Sequence, residues 1–471
     1  MKKLFLALLL LLVIIGLAGP KFAGNSFNGQ LDAFAEKLSE QPMYQARIEE
    51  RDQRWFSTTA SLVITLDMAT FGNTVNTTDQ AAFSFSIPIT AQHGPFLTQS
   101  GLAIGWVDWQ VKMKLAEPNA QLTLADDSEY IYAAEGIINL FGTVSYTDVI
   151  PALTYTDPQS GLTLSVTGWQ GHASLASDSM DYETDQPLSL EVSMQGTPIA
   201  SINNMSLDAD LETGLMQAWD NPLYDSEASF SIDAITMVNP ATNVETKLEN
   251  IVMDSVTSYN DSTELGAMLI SSKVAKFTNS EVTMQDIQLD IEIANLQRRF
   301  FIAYQALSED IVNAPEQTEA ILQAFMQEAG LAQLQVNPEL NIPVIKGVIN
   351  ESKVNGFANA KLVDIDALPA RLENPAFWAE HAVVDAKLAV EKDAALFIAE
   401  LILKSQLGAN PQFAQMSEAE QDALITQQSQ ATIDAFVQQG ILSKVDEGYE
   451  ITFSMENANA MLNGQPMGLP F

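Results

Sequence analysis

The sequence predicts an α+β protein: an N-terminal membrane helix, a long bent antiparallel β-sheet body, and C-terminal helices with terminal β-hairpins. Three observations predict it. Sixteen residues without a polar side chain, Leu4 to Gly19, follow Met1-Lys2-Lys3. From about Thr58 to Ile293 apolar residues recur at every second position, and after Ala294 they recur at helical spacing.

The first element reads as the charged and apolar regions of an export signal or signal anchor. Sixteen helical residues rise about 24 Å against a hydrocarbon core of roughly 30 Å. Extension to Ala23, with Lys21 snorkelling into the interface, makes a span plausible. Cleavage after Ala18 is the competing reading, and it would leave a soluble periplasmic protein. In both cases Lys2 and Lys3 stay cytoplasmic and the body is exported. With no cysteine, a lipoprotein signal, disulfides and thiolate chemistry are excluded. Residues 24–57, with Gly24, Gly29 and Pro42, read as a membrane-proximal stalk holding a short helix from Leu31 to Leu38.

Residues 58–295 read as a β-rich periplasmic domain. Leu62, Ile64, Leu66 and Met68 alternate with polar or opposite-face residues, as do Phe83, Phe85, Ile87 and Ile89. Val107, Trp109, Val111, Met113 and Leu115 repeat the pattern, with Trp106, Asp108, Gln110, Lys112 and Lys114 facing out. Sheets wet on one side are antiparallel. Pro88 lacks a ladder donor and belongs at an edge or a bulge. A weak repeat, apolar-x-Asn/Asp-apolar-x-Leu/Met-Asp, occurs at Ile202–Asp208, Leu248–Asp254 and Met284–Asp290. Its apolar spacing of three and then two needs one extra residue, so each Asn or Asp is expected to make a β-bulge. Asp208, Asp210, Glu212, Asp290 and Glu292 are expected on the wet side.

Residues 296–471 read as a helical plus hairpin region packing on the sheet. Leu296, Phe300, Ala303 and Leu307 mark one helix, and another runs from near Pro315 to a stop at Gly330. Asn374-Pro375 is expected to open a helix reaching about Lys404. Ser417-Glu418-Ala419-Glu420 has capping-box spacing, and Gly440 ends that helix. Ile441–Val445 and Tyr449–Ser454 form a hairpin around Asp446-Glu447-Gly448, and Asn463-Gly464 marks a second tight turn.

Function is constrained mainly by exclusion. With 60 acidic against 22 basic residues the formal charge is −38, and between Leu115 and Thr246 there is no basic residue against twenty acids. Such a segment repels phosphate backbones, so nucleic acid is not an expected partner. The three histidines, His93, His172 and His381, make no zinc motif, and no nucleophile elbow, phosphate loop or dinucleotide fingerprint occurs. No catalytic, cofactor-binding or metal site is therefore assigned, and no cofactor is expected. His381 reads as a core histidine, His172 as a turn residue, and His93-Gly94-Pro95-Phe96 as a hairpin closure with His93 bonding local backbone. Asp178, Asp181, Glu183 and Asp185 read as a solvated loop without calcium-loop spacing.

A Lys-Lys anchor, Trp55-Phe56-Ser57 leading into the first strand, the His93-Gly94-Pro95 turn, and Leu462-Asn463-Gly464-Gln465-Pro466 together resemble the YdgA-like family of bacterial envelope proteins, a domain of unknown function. The likeness covers nearly the whole chain in order, with Arg54 where the family has glycine and Thr58 in place of a second serine. It implies an inner-membrane anchor with a periplasmic body in a Gram-negative bacterium, and it transfers no catalytic residue. The motif residues read as structural: Trp55 and Phe56 clamping the stalk, Ser57 satisfying a backbone group, His93, Gly94, Pro95, Asn463 and Gly464 setting turns. The expected role is a non-enzymatic, inner-membrane-anchored envelope protein whose apolar sheet face takes lipid or envelope-protein partners. The alternatives are a periplasmic hydrolase of envelope glycans or esters, using carboxylates and His93, and an interaction scaffold.

Overall fold

Apolar residues at helical spacing from Ala23 through Phe27, Leu31, Phe34, Ala35 and Leu38 continue the N-terminal segment without a break. In the computed structural model a single helix, α1, accordingly runs Lys2–Ser39. The structure describes residues 2–40, 44–66, 83–114, 121–125, 128–221, 223–407 and 413–469, without side chains for 2–17, 83, 308, 309, 312, 313, 414 and 418. Among the described residues no helix is long and apolar enough to cross a membrane. The chain divides into two compact units, 1–228 and 229–471, inside the stretch expected to be one β domain. No separate stalk follows the apolar segment: residues 24–39 are the C-terminal half of α1.

The first unit is an antiparallel meander. Its strands are β1 (Tyr44–Gln53), β2 (Ser57–Leu66), β3 (Phe83–His93), β4 (Phe96–Leu97), β5 (Ala103–Ile104), β6 (Val107–Met113), β7 (Leu122–Leu124), β8 (Tyr132–Ile138), β9 (Val144–Ile150), β10 (Leu153–Thr156), β11 (Leu162–Val166), β12 (Trp169–Leu175), β13 (Met180–Gln186), β14 (Leu188–Met194) and β15 (Thr197–Leu211), with α2 (Leu215–Asp220) after them. The ladder runs β1-β2-β3-β6-β8-β9-β12-β13-β15. Strands β7, β10, β11 and β14 extend it beyond Pro151, Gly168 and Pro187, and they pair in the same sense. These three residues interrupt neighbouring strands at one level, because a proline removes a ladder donor and Gly168 sits at φ +97°. At Gly168 a Cβ would lie 2.9 Å from the Ile150 carbonyl oxygen.

Helix α1 packs on the face carrying Leu62, Ile64, Ile89, Ala91 and Val107, burying Ala23, Phe27 and Ala35. Arg51 forks onto Asp32, and Trp219 of α2 packs against Phe34 with the rings tilted and their centroids 5.6 Å apart. Pro88 lies one residue beyond the last β3–β6 pair, Ile89–Val111, at an edge as its chemistry requires. Asp67, Met68 and Leu115 lie outside the described residues. Asp108, expected to face solvent, is fully buried, since residues 94–106 fold back over it.

The second unit holds β16 (Ser226–Val238), β17 (Glu245–Asn260), β18 (Leu265–Thr278), β19 (Thr283–Gln297), α3 (Arg298–Asn313), α4 (Thr318–Phe325), α5 (Leu331–Leu334), β20 (Glu339–Ile349), β21 (Ser352–Leu362), α6 (Pro375–His381), β22 (Ala382–Glu391), α7 (Lys392–Leu407), α8 (Glu418–Gln438), β23 (Ser443–Val445), β24 (Gly448–Glu456), β25 (Asn459–Leu462) and β26 (Gln465–Met467). Strands β17 to β22 pair consecutively and antiparallel, and β22 then pairs with β24. The three repeat residues Asn204, Asn250 and Asp286 all adopt left-handed φ near +50°, and the ladder slips beside Asn204 and Asp286. That is the bulge the apolar spacing demands.

The C-terminal third departs from its expected helical character. Strands β20, β21 and β22 carry the sheet through it, and the helices are three excursions between strands: α3 to α5, α6, and α7 with α8. The helix opened by Asn374-Pro375 stops at His381, because Val384, Ala386, Leu388 and Val390 alternate with Asp385, Lys387 and Ala389 and pair on both sides. Leu296 lies in β19, which ends at Gln297 before α3 begins. Gly330 is not a stop: at φ −63° it continues through a wide turn into α5, and Asn337, at φ +54°, ends the excursion. The capping box at Ser417 and Glu420, the Gly440 stop and the β25–β26 turn at Asn463-Gly464 stand as expected.

Candidate functional site

Two places concentrate unusual chemistry. The first is where α1 meets β2 and β3. Asn28, on the apolar face of the helix, donates from Nδ2 to the Gly24 carbonyl at 2.7 Å and to Thr58 Oγ1 at 3.0 Å. Thr58 Oγ1 lies 3.1 Å from His93 Nε2. Thr58 Oγ1 thus accepts from Asn28 on α1 and faces His93 Nε2 at the end of β3. Thr58 and His93 are 0% and 1% exposed, and burial holds the His93 pKa below its ordinary value. A hydrogen bond with the Trp55 main chain opposes that lowering, and the charge of Lys21 adds to it. The helix passes so close that a Cβ on Gly24 would stand 2.4 Å from the His93 ring.

This cluster corrects three expectations. The His93 ring does not close its own turn; it bonds Thr58 on the neighbouring strand, 35 residues earlier, and Thr58 in turn takes the hydrogen bond from Asn28 of the helix. Trp55 and Phe56 do not clamp a stalk, for each is half exposed in the β1–β2 turn, while Thr58 goes inward. Ser57 closes that turn with its carbonyl, accepting from Arg54 N at 2.8 Å. Gly94 and Pro95, joined by a cis bond, start the 94–106 loop. A Cβ at Gly94 would overlap the Gly105 carbonyl oxygen at 1.7 Å, so no side chain fits there. Beneath the loop Asp108 accepts from Ser100 N at 2.7 Å and Ser100 Oγ at 2.6 Å.

Further along the same unit, Trp169 Nε1 donates to the Tyr182 hydroxyl at 2.9 Å, which donates to Asp148 at 3.1 Å. Asp148 is buried, and burial raises its pKa against the opposing hydrogen bond from Tyr182. Burial, then Asp148 and Tyr146, push the Tyr132 hydroxyl up to about 12. The chain Trp169–Tyr182–Asp148 ties β12, β13 and β9 together.

The second place is the apolar face of the second unit. Cross-strand pairing puts Ile251, Val274 and Ile287 on one side, together with Ser272 and Leu289, Ile270 and Ile291, and Met268 and Ile293. The same side continues through Leu340, Ile342 and Ile345 to Val354, Ala358 and Leu388, and then Ile451 and Phe453. None of these is fully buried, and Met253, Leu289 and Leu340 are 46%, 39% and 48% exposed. The opposite side carries Asp254, Ser271, Lys273, Asp290 and Glu292. There Ser271 donates to Asp290 at 2.6 Å, and Lys273 pairs with Asp254 at 3.1 Å. Asp290 and Glu292 thus lie on the polar side, as expected.

Of the remaining candidates, Asn463 and Gly464 belong to the second unit, apart from the motif residues gathered around His93. Asn463 does more than turn the chain: Nδ2 donates to the carbonyls of Gly440 and Ile441 at 2.8 and 3.0 Å, and Oδ1 accepts from Thr452 N at 2.8 Å. His172 lies within β12 rather than in a turn, with Nδ1 3.0 Å from Asp185. His381 bonds the Val363 carbonyl at 2.9 Å and packs on Phe377. Among the described residues no three histidines or carboxylates are gathered to hold a metal. Thr58 and Asn28 were missed as site residues. The available signal was one asparagine set beside an otherwise apolar helical stripe.

A family profile described as a bacterial protein of unknown function, DUF945, matches residues 1–470. No curated protein and no solved structure matches the chain.

Proposed function

The chain belongs to this DUF945 family of bacterial proteins, and for it we propose a non-enzymatic role as an inner-membrane-anchored envelope protein, its body in the periplasm, that holds lipid acyl chains along the second unit's sheet face. The observation that carries this reading is the row of partly exposed Ile, Leu, Val and Met from β17 to β22, with Met253, Leu289 and Leu340 the most open, backed by a polar opposite side. Soluble proteins rarely leave so extended an apolar strip open unless something covers it. The strip is mostly aliphatic and carries no charged side chain among the residues named above, so it suits chains rather than a charged ligand. The apolar Leu4–Gly19 segment behind two lysines supports the anchor.

The test is native mass spectrometry and lipid extraction on the full-length protein in nanodiscs or mild detergent, with Leu289→Glu and Leu340→Glu as variants. Lipid retained by the native protein and lost in both folded variants supports the role. Equal retention by the variants, or no retained lipid and no binding of an apolar dye by the native protein, sinks it.

A further inference from the structure

We propose that the end of the first unit surrounding the base of the apolar segment is seated on the bilayer, so that its loops enter the lipid interface. This inference rests on the anchor reading above.

Four pieces of chain meet at that end. Gly24 of α1 abuts the His93 ring. His93 N donates to the Phe56 carbonyl at 2.8 Å, which fixes the β1–β2 turn beside it. Gly94 N donates to the Trp106 carbonyl at 2.6 Å, closing the 94–106 loop. Trp106 bonds the β8–β9 turn through N to Ile138 at 2.8 Å and through Nε1 to Leu140 at 3.1 Å. Each piece presents apolar side chains outward: Phe22 on the helix, Trp55 and Phe56 in the first turn, Leu102 and Ile104 in the loop, Phe141 in the second turn. Leu102 is 91% and Phe141 95% exposed, at the tips.

Scattered exposed apolar residues need no explanation, but a rim of them on one end does. The charge pattern identifies the occupant. In a chain of net charge −38, residues 94–106 and 139–143 carry no charged side chain, and Lys21 and Arg54 are basic. Of the carboxylates nearest these loops, Asp52 is neutralised by Arg54 at 2.9 Å, and Asp108 is buried against Ser100. Tryptophan, phenylalanine and leucine tips on loops that themselves carry no carboxylate suit a phospholipid interface, which repels carboxylates and takes aromatic rings at headgroup depth. The same helix that carries Phe22 runs back without interruption into Leu4–Gly19. The rim therefore sits where that segment would enter the bilayer, and the clamp at His93 holds the two in fixed relation.

The chain has no cysteine, so single nitroxide labels can be placed cleanly. Full-length Leu102→Cys, Phe141→Cys, Leu10→Cys and Ser160→Cys are reconstituted in phospholipid vesicles, and collisions with oxygen are compared with collisions with a water-soluble relaxant. Ser160, in the β10–β11 turn at the other end of these strands, reports solvent. The expected result is oxygen-dominated collision at positions 10, 102 and 141 and the reverse at 160. Lipid at position 10 with water at 102 and 141 overturns the docking and spares the anchor. Water at position 10 overturns the anchor reading and the docking with it. Shielding of 102 and 141 from both relaxants marks a protein partner or a second copy, and it also overturns the proposal.

Discussion

Gly24 and Gly29 lie five residues apart on α1, and alanine should act on them with opposite sign. In a helix interior alanine is favoured over glycine by about 1 kcal/mol, through the entropy glycine loses on folding. At Gly29 nothing lies within 4 Å of the new methyl, so Gly29→Ala should show that gain nearly undiminished. At Gly24 the methyl would stand 2.4 and 2.5 Å from two atoms of the His93 ring, where carbon contacts settle near about 3.5–4 Å. The ring is 1% exposed and bonded to Thr58 at 3.1 Å, so it has no free rotamer to retreat into. Overpacking of this kind costs about 1–3 kcal/mol, and a displaced ring forfeits about 1 kcal/mol more in hydrogen bonding. Against the propensity gain, Gly24→Ala should destabilise the first unit by about 1–3 kcal/mol. Hydrogen exchange of α1 in the full-length protein reads both variants directly, and urea unfolding gives the energies. His93→Ser should relieve the clash, so the pair Gly24→Ala and His93→Ser should cost less than the sum of its parts. If Gly24→Ala protects α1 as well as Gly29→Ala does, the clamp is not the tight contact described here.

Three further outcomes follow from the same geometry. Because the His93 pKa is lowered by burial, its contribution to stability is complete above its unfolded value of about 6.5 and is lost as pH falls through the folded one; exchange protection of α1 should drop on acidification, and His93→Gln should remove that pH dependence. Asp148 has a raised pKa, so its ionisation weakens the fold as pH rises through that value; Asp148→Asn, which still accepts from Tyr182, should be the more stable form at pH 7, with the advantage closing below the usual carboxylate range, and equal melting at pH 7 would contradict the assignment. Asn463→Ala removes two donated bonds and one accepted bond and should cost about 2–3 kcal/mol in the second unit, more than the roughly 1 kcal/mol of a side chain forced to φ +73° in Gly464→Val; the reverse order in chemical unfolding would show that the backbone, not the side chain, governs this turn.

What was readable in advance was local. Period-two alternation placed β2, β3 and β6, the uneven apolar spacing located the bulges at Asn204 and Asp286 and the left-handed residue Asn250, and Ser417 with Glu420 marked the start of α8. Each depends on residues within one turn or one strand, where side-chain size and backbone preference act directly. The membership of an uncharacterised bacterial family was likewise legible from short motifs along the chain.

Tertiary structure decided what those local signals left ambiguous. Residues 382–390 suit a helix face in isolation, and they became β22 because β21 and β24 supply ladder partners on both sides. Asp108 alternates outward along its own strand, yet a loop that folds back over it converts an exposed position into a buried one. The largest difference concerns His93. Its sequence neighbours suggest a turn, whereas its energetics come from Thr58 and Asn28, 35 and 65 positions earlier in the chain. Hydrogen bonds and steric exclusion act over a few ångströms of space, and only the packed helix brings those residues within that range.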